Sequence, residues 1–141
     1  MLLPATAYAA RPDSLKVLLY DSRPSTVSNY TITQDQNSGS QFTSGDTLVV
    51  TFPSGFSLAS LSSPLDFDFK VASTDETVQS GACGATDTVR ALVSGQTITF
   101  TACNSYTAEA AGTVIEIEIG THATSGGGGS NRITNHATPA T

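Results

Sequence analysis

Two pairs of carboxylates, Asp66 with Asp68 and Glu116 with Glu118, have the clearest potential for chemistry in this sequence. On a β-strand, side chains two positions apart point to the same side and lie roughly 6 to 7 Å from each other. Such a pair could bind calcium or serve as the acid and base of a glycosidase. The alternative is a solvated sheet face, because every half-exposed strand alternates polar with apolar residues. No calcium-loop signature is present, so calcium is a candidate ligand and no cofactor is predicted.

Other catalytic arrangements are missing from the sequence. The only histidines, His122 and His136, lie in a Gly/Thr-rich C-terminal segment, where a positioned general base is not expected. The sequence contains no G-x-S-x-G motif, and the glycine run at 126–129 lacks the lysine of a P-loop. We therefore predict that the protein is not an enzyme.

Three tyrosines are candidates for stacking against a ligand. Exposed aromatic rings commonly stack on sugars, and Tyr20, Tyr30 and Tyr106 could do so. However, most aromatic residues here fall on apolar strand faces, which favours a role in the core, and the chain has no Trp.

The two cysteines, Cys83 and Cys103, are predicted to form a disulfide. A two-residue turn at Ser94-Gly95 would build a hairpin in which Thr86 lies opposite Cys103, three positions from Cys83. Both thiols would then lie near the open end of the hairpin, within bridging distance. The alternatives are two buried free thiols or a metal pair, and no third ligand is spaced to complete a zinc site.

The elements that position these residues are β-strands. Apolar residues alternate with polar ones in seven stretches, each bounded by Gly, Pro, Asn, Asp or Ser. The stretches lie at about 15–20, 29–33, 47–52, 65–71, 89–93, 96–101 and 113–120. Asp75 and Glu76 fall outside them and are assigned to a turn. This pattern predicts an all-β protein made of two packed antiparallel sheets, an immunoglobulin-like β-sandwich, with a jelly roll as the alternative topology.

Composition and charge exclude several classes of partner. The chain has 141 residues and a net charge of −6, and its six basic residues are scattered singly. No basic stripe is available to neutralise phosphates, so we predict no nucleic-acid binding. No apolar run reaches the 18 or so residues of a membrane span, so we predict no membrane insertion. Serine and threonine together number 39, which suits the wet outer face of half-buried strands.

The two ends differ from the middle of the chain. Residues 1–10 contain Ala7-Tyr8-Ala9, the A-x-A pattern of a secretory cleavage site, and are interpreted as the remnant of a signal peptide. Residues 11–120 are predicted to form the β-sandwich domain. Residues 121–141 are rich in Gly and Thr and contain Ile133 as the single obvious core residue. They are interpreted as a loop or linker that could precede a further strand or domain.

Three stretches of sequence with strand and turn patterns resemble extracellular Ig-like repeat domains of bacterial surface proteins, adhesins and surface-layer-type proteins. They are residues 21–33, the GDT-strand-FP-x-GF stretch at 44–56, and AGTVIEIEIG at 111–120. The resemblance implies a secreted structural or adhesive module, often repeated along a longer chain. It identifies no functional residues, because these stretches contain no ligand motif.

The leading hypothesis is a secreted, non-enzymatic structural or adhesive module of a cell-surface protein, or a subunit of an extracellular filament. Its partners would be other copies or neighbouring domains, joined in a filament by β-strand addition. The alternative hypothesis is a carbohydrate- or calcium-binding module of an exported protein. Its site would combine the acidic pairs with the exposed tyrosines.

Overall fold

The computed structural model describes residues 13–36, 41–61, 64–84, 88–104, 106–124 and 128–138. Within these ranges the chain forms β-strands and one short 3₁₀ turn at Pro64–Asp66. The strands are β1 (Ser14–Leu19), β2 (Val27–Ser28), β3 (Tyr30–Asp35), β4 (Thr47–Thr51), β5 (Phe67–Val71), β6 (Thr74–Gln79), β7 (Thr88–Ser94), β8 (Thr97–Ala102), β9 (Val114–Ile119) and β10 (Ile133–Thr134). The predicted leader remnant at 1–10 lies outside the described residues.

Eight of the strands form one continuous curled sheet, in the order β1-β3-β9-β5-β6-β7-β8-β4. Strands β2 and β10 form a separate two-stranded antiparallel ribbon. The all-β class is therefore confirmed, and all seven predicted strands are present. The sequence predicts separate antiparallel sheets, whereas the strands observed here are joined in one sheet.

The strand that joins the two halves of the sheet is β6. Its first half pairs antiparallel with β5, where Glu76 lies opposite Phe69. Its second half pairs parallel with β7, where Val78 lies opposite Val89. The assignment of Asp75 and Glu76 to a turn is wrong, since both lie within β6. This strand escapes detection because it is largely polar and half-exposed, and so shows no apolar alternation.

The core fills the inside of the curl. Phe69 of β5 packs against Phe100 of β8, with ring centroids 5.4 Å apart, and Phe67 meets the same ring edge-on at 5.7 Å. Tyr30 of β3 meets Phe52, the residue after β4, edge-on at 5.3 Å. These contacts join the two halves of the sheet through side chains, and burial of such large apolar rings is the dominant stabilising contribution.

The β7–β8 hairpin exists, but its predicted register is wrong. Ser94 lies opposite Thr97 and Ala91 opposite Phe100, so Gly95 and Gln96 form the turn instead of Ser94 and Gly95. Gly95 has a φ of +58° and Gln96 does not have a positive φ, the pattern of a type II′ turn. Such a turn requires glycine at its first central position, which moves the pairing by one residue on each strand. The shift keeps the same residues facing the core.

The disulfide between Cys83 and Cys103 forms as predicted, with Cα atoms 5.1 Å apart. Cys83 lies in the connection between β6 and β7, and Cys103 directly follows β8. In the observed register Thr88, whose carbonyl accepts a hydrogen bond from the Cys103 amide, takes the place predicted for Thr86. Thr86 itself lies outside the described residues.

The C-terminal segment contributes more to the core than the sequence predicts. Ile133 pairs with Ser28 in the small ribbon and is fully buried. Asn135 and Ala123 are buried as well. The Asn135 side-chain amide donates to the carbonyl oxygens of Asp21 and Arg23, the latter at 3.0 Å, and so ties this segment to the turn before β2. The segment after β9 therefore packs on the sheet, and Ala123 is a second buried apolar residue in it besides Ile133.

Candidate functional site

Three of the four predicted carboxylates, Asp68, Glu116 and Glu118, lie on strands β5 and β9, on the side that the alternation turns away from the core and that we call the outer face, whereas Asp66 lies in the 3₁₀ turn before β5. The pairing register places Glu118 between Thr31 of β3 and Asp68 of β5. The next row contains Glu116 between Thr33 and Lys70. Ile115, Ile117 and Ile119 alternate with the two glutamates and point into the core. The alternation of β9 therefore places both glutamates on the outer face, as predicted.

The two glutamates form ion pairs with Lys70. The Lys70 Nζ lies 2.9 Å from the Glu118 Oε2 and 3.5 Å from the Glu116 Oε1. Desolvation acts to lower the pKa of Lys70, but the hydrogen bond and the charges of the two glutamates outweigh it and raise that pKa. Lys70 therefore remains a cation and compensates charge that would otherwise be available to a metal ion.

Asp66 holds the C-terminal segment against the sheet. Its side chain is fully buried at the end of the 3₁₀ turn. One carboxylate oxygen, Oδ1, accepts hydrogen bonds from the backbone amides of Ser130 and Asn131 at 3.1 and 3.0 Å. The other oxygen accepts from the Asn131 side-chain amide at 3.0 Å. Charge-assisted bonds of this kind are stronger than neutral ones, so Asp66 fixes the path of the segment after β9.

Asp68 has a similar role and binds the same segment closer to the end of β9. It is fully buried, although the alternation of β5 places it on the outer face. The Thr124 backbone amide donates to its Oδ2 at 2.6 Å. The prediction of a solvated face is therefore wrong for both Asp66 and Asp68, because the segment that follows β9 folds over them. Nothing in the local sequence signals this burial, since the covering residues are more than 50 positions away.

The four carboxylates proposed for calcium do not form one cluster. Asp68 lies directly opposite Glu118, but the glutamates are paired with Lys70 and the aspartates with amides of the chain itself. Over the described ranges, no group of three or more His, Cys, Asp or Glu residues is arranged to hold a metal ion.

Tyr20, the residue after β1, lies beside this face together with a histidine. Its ring centroid lies 4.8 Å from that of His122, and its hydroxyl lies 3.3 Å from the Thr31 Oγ1. The His122 Nε2 lies 3.1 Å from the same threonine oxygen. Tyr20 is 56% exposed, so this cluster of Tyr20, Thr31 and His122 presents an aromatic ring with polar neighbours to solvent.

The other two tyrosines proposed for stacking are core residues. Tyr30 and Tyr106 are buried, and the Tyr30 hydroxyl donates to the Asn135 Oδ1 at 2.7 Å. Burial raises the pKa of Tyr30 to about 12, so this hydroxyl keeps its proton at neutral pH. A ligand could not stack on either ring without opening the core.

The sequence did not predict that His122 belongs to a site in this region. It follows β9 by three positions, in a segment assigned to a loop or linker, and its partners Tyr20 and Thr31 lie about 90 to 100 residues earlier. No periodicity or motif links such distant positions, so only the folded sheet reveals the cluster.

The comparisons with known proteins give no identification. No protein-family model, no curated protein and no solved structure matches the chain. In the part of the chain that the structure describes, no helix is long and apolar enough to span a membrane.

Proposed function

We propose that this protein is a secreted, non-enzymatic structural or adhesive module of a cell-surface protein or extracellular filament. The observation that carries this proposal is that the four acidic side chains bind other groups of the same chain. Asp66 and Asp68 are buried and bind amides of the segment after β9, and Glu116 and Glu118 bind Lys70. Groups that satisfy one another in this way contribute to a stable scaffold and are not poised for catalysis.

We further propose that the curled sheet is an immunoglobulin-like sandwich. One layer would be β1-β3-β9-β5 and the other β7-β8-β4, with β6 passing from the first to the second. The division of β6 between an antiparallel and a parallel partner supports this arrangement. The packing of Phe67 and Phe69 against Phe100 supports it as well, because inward rings of two facing layers make such contacts.

An extracellular location fits the covalent chemistry and the surface of the fold. The Cys83–Cys103 disulfide is of the kind that persists in oxidising compartments. The exposed side of β4 carries Thr47 and Thr51 on either side of Val49, and these hydroxyls help to keep a sheet face hydrated without charge. An antibody raised against the chain provides the test on source cells. Recovery from the cell surface or the medium is expected, and recovery in the cytosol alone would contradict the proposal.

A ligand-binding role is tested separately by thermal unfolding with calcium chloride and with a chelator. A ligand that binds only the folded state stabilises it and raises Tm, by an amount that grows with the logarithm of the free ligand concentration once this exceeds Kd. For a scaffold with internally paired carboxylates, we expect equal Tm values in both solutions. A Tm that rises with calcium and returns with the chelator would instead support the calcium-binding hypothesis.

Glycan binding is the second candidate function, and the exposed Tyr20 ring favours it. His122 holds one side of this ring, and Thr31 supplies a neighbouring hydroxyl. A glycan array probed with the wild type, Tyr20→Ala and Tyr20→Phe tests the idea. If Tyr20→Ala abolishes binding and Tyr20→Phe retains it, the aromatic ring is the group that stacks on the glycan. If the wild type binds no glycan on the array, the structural module remains the proposed function.

A further inference from the structure

Strand β1 is an edge of the eight-stranded sheet with apolar side chains on both faces. Within the described residues β3 is the sole strand paired with β1. Leu15 and Val17 are 61% and 54% exposed, although they share the inward side of the sheet with buried Ile32. Leu18, on the other side, is exposed as well. Natural edge strands are usually short or charged to avoid pairing, and β1 carries Lys16 as its only charge.

The backbone of the same strand offers a regular row of hydrogen-bonding groups at its open edge. The Tyr20 amide donates to the Asn29 carbonyl at 3.2 Å, which sets the phase of the β1–β3 ladder. In an antiparallel ladder, residues that bond the neighbouring strand alternate with residues that point away from it. Leu15, Val17 and Leu19 therefore direct their amide and carbonyl groups to the open edge.

We propose that β1 pairs antiparallel with β1 of a second copy of this chain, with Val17 opposite Val17. A two-fold axis through that pair places Leu15 opposite Leu19 of the second copy and Leu19 opposite Leu15 of the second copy. All three residues with outward backbone groups then form hydrogen-bonded pairs, and their side chains form one continuous apolar row. The strand is thus complementary to itself, as an isologous interface requires.

Charge disfavours one of the two adjacent registers. A shift by one residue on each strand would centre the pairing on Lys16 and place two ammonium groups directly opposite each other, which is destabilising. In the proposed register, Lys16 lies opposite Leu18 of the second copy. Its alkyl chain can cover that leucine while the ammonium group reaches water.

The size of the contact predicts a weak, concentration-dependent dimer. The six residues of β1 extend about 20 Å, since each strand residue adds about 3.4 Å. Such a contact belongs with specific interfaces below about 1,200 Å², which are typical of transient association. We therefore expect a dimer dissociation constant in the micromolar range or higher.

Sedimentation velocity over a concentration series measures this equilibrium on the whole chain. We expect monomer and dimer without larger species for the wild type. Val17→Lys would place two like charges face to face and raise the dimer dissociation constant at least about tenfold. Val49→Lys is the matched control, because Val49 is 56% exposed on β4, the other edge of the sheet. Thermal unfolding of both variants checks that an exposed lysine leaves the fold intact.

Covalent trapping tests the register itself. Residues in a hydrogen-bonded antiparallel pair have Cα atoms about 5.5 Å apart, a separation that a disulfide can span. Val17→Cys is expected to give an oxidised covalent dimer in high yield, whereas Val49→Cys is not.

Three results would overturn the proposal. They are a monomer at every concentration, a series of oligomers beyond the dimer, and equal sensitivity to Val17→Lys and Val49→Lys. The last two would indicate head-to-tail pairing of β1 with β4. None of them would contradict the structural-module proposal, which depends on location and on ligand tests.

Discussion

At the residue scale, two acidic pairs with the same spacing have opposite environments. Glu116 and Glu118 remain on a partly exposed face and neutralise Lys70. Asp66 and Asp68 are completely buried under the segment that follows β9. That segment contributes to the difference, because its amides replace water that the aspartates would otherwise bind. The aspartates are therefore determinants of loop structure.

Asp66→Ala is expected to lower the free energy of unfolding by about 2 to 4 kcal/mol, because three amide donors of the C-terminal segment would lose a buried, charged acceptor. Urea denaturation followed by circular dichroism measures the change. Asp66→Asn keeps one oxygen acceptor and should lose less. Asp75→Ala is the matched control, since Asp75 is an exposed acid on β6 and should stay within about 0.5 kcal/mol of the wild type. Equal losses for Asp66→Ala and Asp75→Ala would show that Asp66 does not anchor the segment.

Local sequence information predicts part of this site. The positions of Glu116 and Glu118 follow from strand alternation, and the cysteine pair follows from hairpin geometry. The burial of Asp66 and the contact of His122 with Tyr20 depend on a segment that returns across the sheet from far along the chain. Neither propensity nor periodicity reports such long-range contacts.

At the element scale, turns determine which strands pair and in which register. Seven strands are predictable because an apolar residue at every second position must face the core. Strand β6 is not predictable in this way, because its residues are mostly polar and its extended conformation depends on pairing with β5 and β7. The β7–β8 register depends on the position that Gly95 takes in the turn. One wrong choice of turn residues moves every predicted cross-strand pair.

The turn between β5 and β6 carries strain that a glycine should relieve. Ala72 and Ser73 have φ values of +50° and +67°, in the left-handed region that disfavours residues with a Cβ. Ser73→Gly is expected to raise the free energy of unfolding by up to about 1 kcal/mol, since glycine adopts this conformation without a steric penalty. Urea denaturation measures the gain.

Ala108→Gly is the control for that substitution, because Ala108 is exposed and does not have a positive φ. Glycine there should destabilise the protein by up to about 1 kcal/mol, through the greater freedom of the unfolded chain. A loss of stability in both variants would show that the β5–β6 turn is not strained.

At the scale of the whole molecule, a shared strand and a disulfide act together with the core packing to hold the halves of the curled sheet together. The strand is β6, which is shared between β5 and β7. The disulfide ties the segment after β6 to the end of β8. The pairing of β6 with β7 spans only three residue pairs, from Thr77 with Thr88 to Gln79 with Arg90, so the junction is short. The covalent bond lies beyond it and limits how far the end of β6 can move from the end of β8.

Removal of the disulfide should therefore destabilise the whole fold. The bond closes a loop with a sequence separation of 20 residues, for which loop entropy predicts a loss of roughly 3 kcal/mol. The Cys83→Ala/Cys103→Ala variant and the reduced wild type are expected to unfold at the same, lower urea concentration. A reductant should leave the double variant unchanged, which controls for other effects of the reagent. If the oxidised wild type and the double variant unfold together, the disulfide is not needed to hold the sheet closed.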